Sequence, residues 1–197
     1  MHLAFDIFQG LGVAAAIGVR PFLPSVAVGA LAAGDVELHF DHTSLSFLQS
    51  APFLLLMLIL AAFTVAADRD GWRRLLPERV WTGLIGAASL ALGALFFAGC
   101  LARGGHALWP GYIAGVLCAA IGIASSRPFL ARLRARLDAG AAAVGVPVIA
   151  DGSALAIAVA SVLAPPLGVI ALLGLLWLLF AGRGREAQKY AGLRILR

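Results

Sequence analysis

The sequence predicts an all-α, multi-pass transmembrane bundle. Two observations carry that expectation. The chain is 61% hydrophobic and 13% charged, with a mean hydropathy of +0.96, whereas a soluble domain carries about 25% charged residues and a core of this size could not hide so much apolar surface from water. The apolar residues also fall into five long segments whose flanks hold the basic residues, as expected where lysine and arginine set the topology of membrane helices.

The first segment is Leu3–Ala33, interrupted at Arg20, Pro21 and Pro24. The opening MHLAFDIF lacks a basic leader region, so no cleavable signal peptide is expected. The second segment is Leu45–Ala67, the third Val80–Leu101 and the fourth Leu108–Ala124. Each of these three is near the ~20 residues that cross ~30 Å of hydrocarbon. The fifth, Ala154–Ala181, is interrupted by Pro165 and Pro166. Backbone in lipid must bond to itself, so every segment reads as helix. Proline removes a donor and crowds the preceding turn, so the first and fifth segments are expected to kink or break.

Apart from Arg20 and Arg103, every lysine and arginine lies in 68–79, in 125–150 or after residue 181. The positive-inside bias then places 68–79 and 125–150 in the cytoplasm of a bacterial inner membrane and 34–44 outside. The same bias, applied to the basic tail 182–197, predicts that the fifth segment turns back at Pro165-Pro166. Residues 127–137, RPFLARLRARL, have the pattern of an amphipathic helix lying in the interface. Net charge +5 therefore reads as contact with anionic lipid headgroups rather than with nucleic acid.

Two stretches are related. Residues 10–24 read GLGVAAAIGVRPFLP and residues 115–130 read GVLCAAIGIASSRPFL. Both hold Ala-Ala-Ile-Gly followed by Arg-Pro-Phe-Leu, with three extra residues before the second arginine. The expectation is one membrane domain with repeat units 3–67 and 108–181 joined by 80–101. If the first segment crosses once, the two copies are inverted, as in many secondary transporters. If it is a hairpin with its N-terminus outside, they run parallel.

The candidate binding residues follow from these features. Arg20 is a charge within an apolar run, which is costly in lipid and by default marks a functional site; the alternative is a helix-end arginine reaching a headgroup. Pro21 and Pro24 open the backbone beside it. Ser126 and Arg127 are the counterpart pair in the second copy. Asp151 and Ser153, in ADGSA, are expected to cap the N-terminus of the fifth segment, with an ion or proton site as the alternative reading of Asp151. Small residues in both copies read as helix-packing positions, and Cys100 and Cys118 as buried thiols.

The loop DVELHFDH gathers His39, Asp41 and His42 with Asp35 and Glu37. These are weak metal-ligand candidates, because the spacing matches no closed site. No nucleotide loop, hydrolase elbow or paired-cysteine motif occurs, and no cofactor is implied.

The opening GLGVAAAIGVRPFLP, the helix ending AADRDG (66–71), and GVPVIADGSA (145–154) before a proline-broken apolar segment and a basic tail resemble the DUF4126 family of uncharacterised bacterial integral membrane proteins. The resemblance implies a multi-pass membrane fold and supplies no reaction or catalytic residue. Three functions remain open from sequence: a transporter of a small solute, ion or lipid headgroup, a membrane scaffold binding anionic lipid that could form homo-oligomers, and a metal-dependent enzyme resting on 35–42.

Overall fold

The computed structural model describes residues 3–41, 43–70 and 77–193. Seven helices follow in order: α1 Leu3–Val19, α2 Phe22–Ala33, α3 Ala51–Asp70, α4 Glu78–Arg103, α5 Leu108–Arg134, α6 Ala139–Leu163 and α7 Pro165–Leu193. A 3-10 turn, Ser46–Gln49, precedes α3. The fold is all-α, as the composition predicts, and Arg79–Arg103, Leu108–Arg134 and Gly140–Leu163 are long and apolar enough to cross a membrane.

α1 occupies the centre, packed on α4, α5, α6 and α7. Its residues Val13 to Ile17 are fully buried, which a helix apolar on every side requires. Small side chains make this possible. A Cβ on Gly12 would lie 2.5 Å from the Gly168 Cα of α7, and one on Gly10 would meet the Phe97 ring at 3.0 Å. The outward faces are apolar too: Ile59, Ile170 and Trp177 are each more than 60% exposed, while Asp6, Gln9, Ser25 and Ser161 are buried. An apolar exterior around buried polar groups is the arrangement lipid favours.

Cross-contacts fix the helix directions. Asp6 pairs with Arg103, and Gly10 faces Phe97, so α1 and α4 are antiparallel. Gly86 lies beside Arg127 and Gly111 against Ala98, so α4 and α5 are also antiparallel. Gln9 meets Val162 while Arg20 meets Asp151, so α6 opposes α1. Arg103, paired with Asp6, also reaches the Glu37 carbonyl just after α2, so α1 and α2 form a hairpin. One end of the bundle collects Arg20, Arg79, Arg127, Arg132 and Arg134. The other collects Asp6, Asp35, Glu37 and Asp41, with Arg103.

Both proline-marked breaks occur. At the first, α1 ends before Arg20, and α2 starts after Pro21, with the Ser25 hydroxyl donating to the Pro21 carbonyl (2.6 Å). At the second, Pro166 offers no N–H to the Val162 carbonyl, and the buried Gln9 amide donates to it instead (3.2 Å). The fifth segment does turn back, and α7 returns toward the arginine end. The basic tail beyond Leu193, and the connection 71–76, lie outside the described residues.

Three expectations need correction. Residues 139–150 do not belong to a connection 125–150: they are the first half of α6, since the run AGAAAVGVPVIA is apolar enough to extend 151–163 into one helix through Pro147. Only residues 135–138 connect α5 to α6. Residues 127–134 are not a separate helix, because α5 continues to Arg134 with Pro128 inside it. A single proline kinks where the paired Pro21 and Pro24 break, and the Ser125 hydroxyl donates to the Ile121 carbonyl one turn before Pro128 (2.8 Å). The two sequence copies are not inverted. Both α1 and α5 run against α4, hence parallel to each other, because the α1–α2 hairpin and the single span of α4 return the chain to its starting side.

Candidate functional site

The first candidate site is built where α1 breaks. Pro21 ends the ladder of α1, and α2 begins with no side-chain cap at its N-terminus. Its first N–H groups thus carry the partial positive charge of the helix end. Arg20 sits in this break and pairs with Asp151 of α6, Nε to Oδ1 at 3.2 Å, with side chains 15% and 18% exposed. Along α4 the neighbouring Ile85 is seven residues past Glu78, roughly 10 Å inside the bundle at ~1.5 Å per residue. Asp151 lies mid-way along α6, so it does not cap a helix N-terminus. An unpaired charge there would be costly, and the pair offsets part of that cost.

A cavity of 540 Å³ opens onto this pair between α2, α3, α4 and α6. Its walls are largely apolar: Phe22 and Leu23 from α2, Leu58, Ala62 and Val65 from α3, and Ile85 from α4. Among the described residues its charged groups are Arg20 and Asp151.

A second cavity of 230 Å³ lies on the other side of Arg20 and Ile85, which line both. Arg127, Arg134, Ser89, Ser126 and Trp81 contribute to it, and no carboxylate does among the described residues. Arg127 donates to the Thr82 carbonyl (3.3 Å). Ser126 and Ser89 donate to carbonyls of their own helices, Ile123 at 3.4 Å and Ile85 at 2.9 Å. The Trp81 indole N–H is buried without a hydrogen-bond partner.

The structure thus brings together Arg20, Pro21, Ser126, Arg127 and Asp151. Pro24 is buried in the first turn of α2 and lines neither cavity. Ser153 is exposed on α6, its hydroxyl donating to the Ala150 carbonyl (3.0 Å). Trp81 and Ser89 join the site without a sequence signal, whereas Arg134 belongs to the amphipathic stretch 127–137 read as a lipid contact.

The opposite end holds a second buried polar cluster that the sequence reading misses. Asp6 is fully buried and pairs with Arg103 at 2.7 Å. Arg103 also donates to the Glu37 carbonyl, in a turn where Asp35 and Glu37 take φ of 52° and 55°. Asp6 Oδ2, Gln9 Oε1, Arg103 Nε and His106 Nε2 have no hydrogen-bond partner. The usable signal was that Asp6 and Arg103 are solitary opposite charges at segment ends on one side.

Of the metal-ligand candidates, Asp41 accepts from Gln49 Nε2 (2.6 Å), and His39 lines a cavity with Asp35 and Glu37. His42 lies outside the described residues. Among the described residues no three such side chains are placed to hold one metal ion.

The family described as a domain of unknown function (DUF4126) matches residues 7–183. That range takes in both breaks, both copies and the Arg20–Asp151 pair, and the chain belongs to this family. Comparison with curated proteins and with solved structures returns no match.

Proposed function

We propose that this DUF4126 protein is a membrane carrier for a small solute or headgroup bearing negative charge, bound where α1 breaks into α2. The observation that carries the reading is the Arg20–Asp151 pair at the wall of a 540 Å³ cavity. A buried cation beside an uncapped helix N-terminus attracts an anion, and Asp151 is the counter-charge that holds Arg20 when the site is empty. Broken helices presenting their ends to a site within the bundle are a recurrent carrier device. The chain direction also supports it: three helices, a single return span, then three helices in the first order. Here α1 packs on α6 and α7, while α5 has no comparable contact with α2 or α3 among the described residues. The units 3–67 and 108–181 are thus related in direction more than in packing.

The positive-inside bias orients the arginine end toward the cytoplasm and 34–41 outward. The test is a charge swap, Arg20→Asp with Asp151→Arg, in protein extracted with native lipid. Native mass spectrometry should find a bound species on the wild type that the swapped protein lacks, though it still folds. A swapped protein with the wild-type spectrum would make the pair purely structural. It would favour the second reading, a scaffold that meets anionic lipid through Arg132, Arg134 and Arg136, which cluster at the exposed end of α5.

A further inference from the structure

We infer that the occupant of this site is an anionic amphiphile, with a phosphate-class headgroup in the arginine-lined cavity and an alkyl chain in the apolar cavity beyond Arg20. The inference rests on the carrier reading above and names its ligand class. Two cavities share Arg20 and Ile85 in their lining, and the smaller is the richer in positive charge, with Arg127 and Arg134 beside Arg20. A ligand that spans them must be charged at one end and apolar at the other.

The smaller cavity specifies the head. Arg20, Arg127 and Arg134 bring three positive charges, and Asp151 pairs with the first of them. The buried Trp81 indole N–H has no acceptor, and a buried donor left unsatisfied is costly. A phosphate monoester supplies both the charge and several acceptor oxygens, which guanidinium groups match in pairs. The larger cavity specifies the chain. Apart from Arg20, Asp151 and Thr64 its walls are aliphatic, aromatic or proline, so an alkyl chain would be buried there without stranding a polar group.

The probes are hexadecyl phosphate, inorganic phosphate and hexadecanol, added to the full chain in nanodiscs of zwitterionic lipid. The readout is tryptophan quenching that is lost in Trp81→Phe. Hexadecyl phosphate should bind saturably and at least about 100-fold more tightly than either fragment, since chain burial and charge pairing each add to affinity. Arg127→Ala and Arg134→Ala, both at exposed positions, should each weaken it about tenfold. Ala62→Phe should weaken hexadecyl phosphate while leaving inorganic phosphate unchanged. Inorganic phosphate binding as tightly as hexadecyl phosphate would overturn the amphiphile and leave the carrier reading, with a soluble phosphate as its ligand. Hexadecanol binding as tightly would overturn both, because charge would then play no part. Failure of all three to bind, with the charge swap behaving as wild type, would also overturn both.

Discussion

Gly18 of α1 and Gly122 of α5 face each other: a Cβ on Gly122 would lie 2.9 Å from the Gly18 Cα. They are also equivalent positions in the two Ala-Ala-Ile-Gly copies. The contacts around them exchange, Gly18 against Ala119 and Gly122 against Ala15, and Ala15 and Ala119 are themselves equivalent. The related sequences therefore pack on one another in parallel, in the register in which they align, as a local two-fold pair of small-residue helices. Leucine at Gly18 or Gly122 has no room and must push the helices apart. Each should cost at least about 1–3 kcal/mol, the usual cost of overpacking. Leucine at Gly174, which has nothing within 4 Å of a Cβ, should be neutral. Thermal unfolding followed by thiol exposure of Cys118, buried beside α1, measures the difference.

The Arg20–Asp151 pair should behave as a unit. Removing either partner takes this ion pair from the other, part-buried charge, at a cost of up to about 3–5 kcal/mol for a buried pair and somewhat less here, given the partial exposure of both side chains. Replacing both with alanine should cost less than the sum of the two single changes. A double-mutant cycle in detergent stability measures the coupling, expected at about 0.5–3 kcal/mol. Additive effects would mean that the two side chains do not depend on each other.

What the sequence made legible follows from strong local signals. Two prolines three residues apart at 21 and 24, and adjacent prolines at 165 and 166, announced both breaks. Arg20, alone in an apolar run, pointed to the candidate site, whereas Asp151 read as a helix cap or an ion site rather than as the partner of Arg20. The start of α6 was hidden because AGAAAVGVPVIA is built of small residues, holds Pro147 and runs into Asp151, all of which resemble a connection. The direction of the copies was hidden because it depends on whether 3–33 crosses once, which α2, only 12 residues long, leaves open. The Asp6–Arg103 pair was hidden because its partners are 97 residues apart and nothing local joins them.

Orientation has a direct test. Cysteine at Val36, which is exposed beside the acidic turn, should react with a membrane-impermeant thiol reagent applied outside the cell. Cysteine at Ala135, in the short connection after α5, should react only after the membrane is opened. Cys100 and Cys118 are buried and should give little background. The reverse labelling would place the arginine end outside, against the charge bias.

The last prediction concerns Gln9, which links α1 to the second break. Its amide nitrogen donates to the Val162 carbonyl, the group that Pro166 cannot serve. Gln9→Leu keeps the side-chain bulk and removes the donor, so the carbonyl is left buried and unsatisfied. The expected loss is about 1–3 kcal/mol, more than for a surface glutamine. Gln9→Glu removes the same donor but adds a carboxylate near the already buried Asp6, and should be worse because the second negative charge has no partner beyond Arg103. Gln9→Asn is too short to reach the carbonyl and should resemble leucine. Unfolding temperatures in one detergent order these variants as wild type, then leucine and asparagine together, then glutamate. If leucine matched wild type, the carbonyl would have another partner, such as an ordered water, and the α6–α7 turn would not depend on α1. If glutamate alone were damaging, the role of Gln9 would be to keep charge away from Asp6 rather than to hold the break.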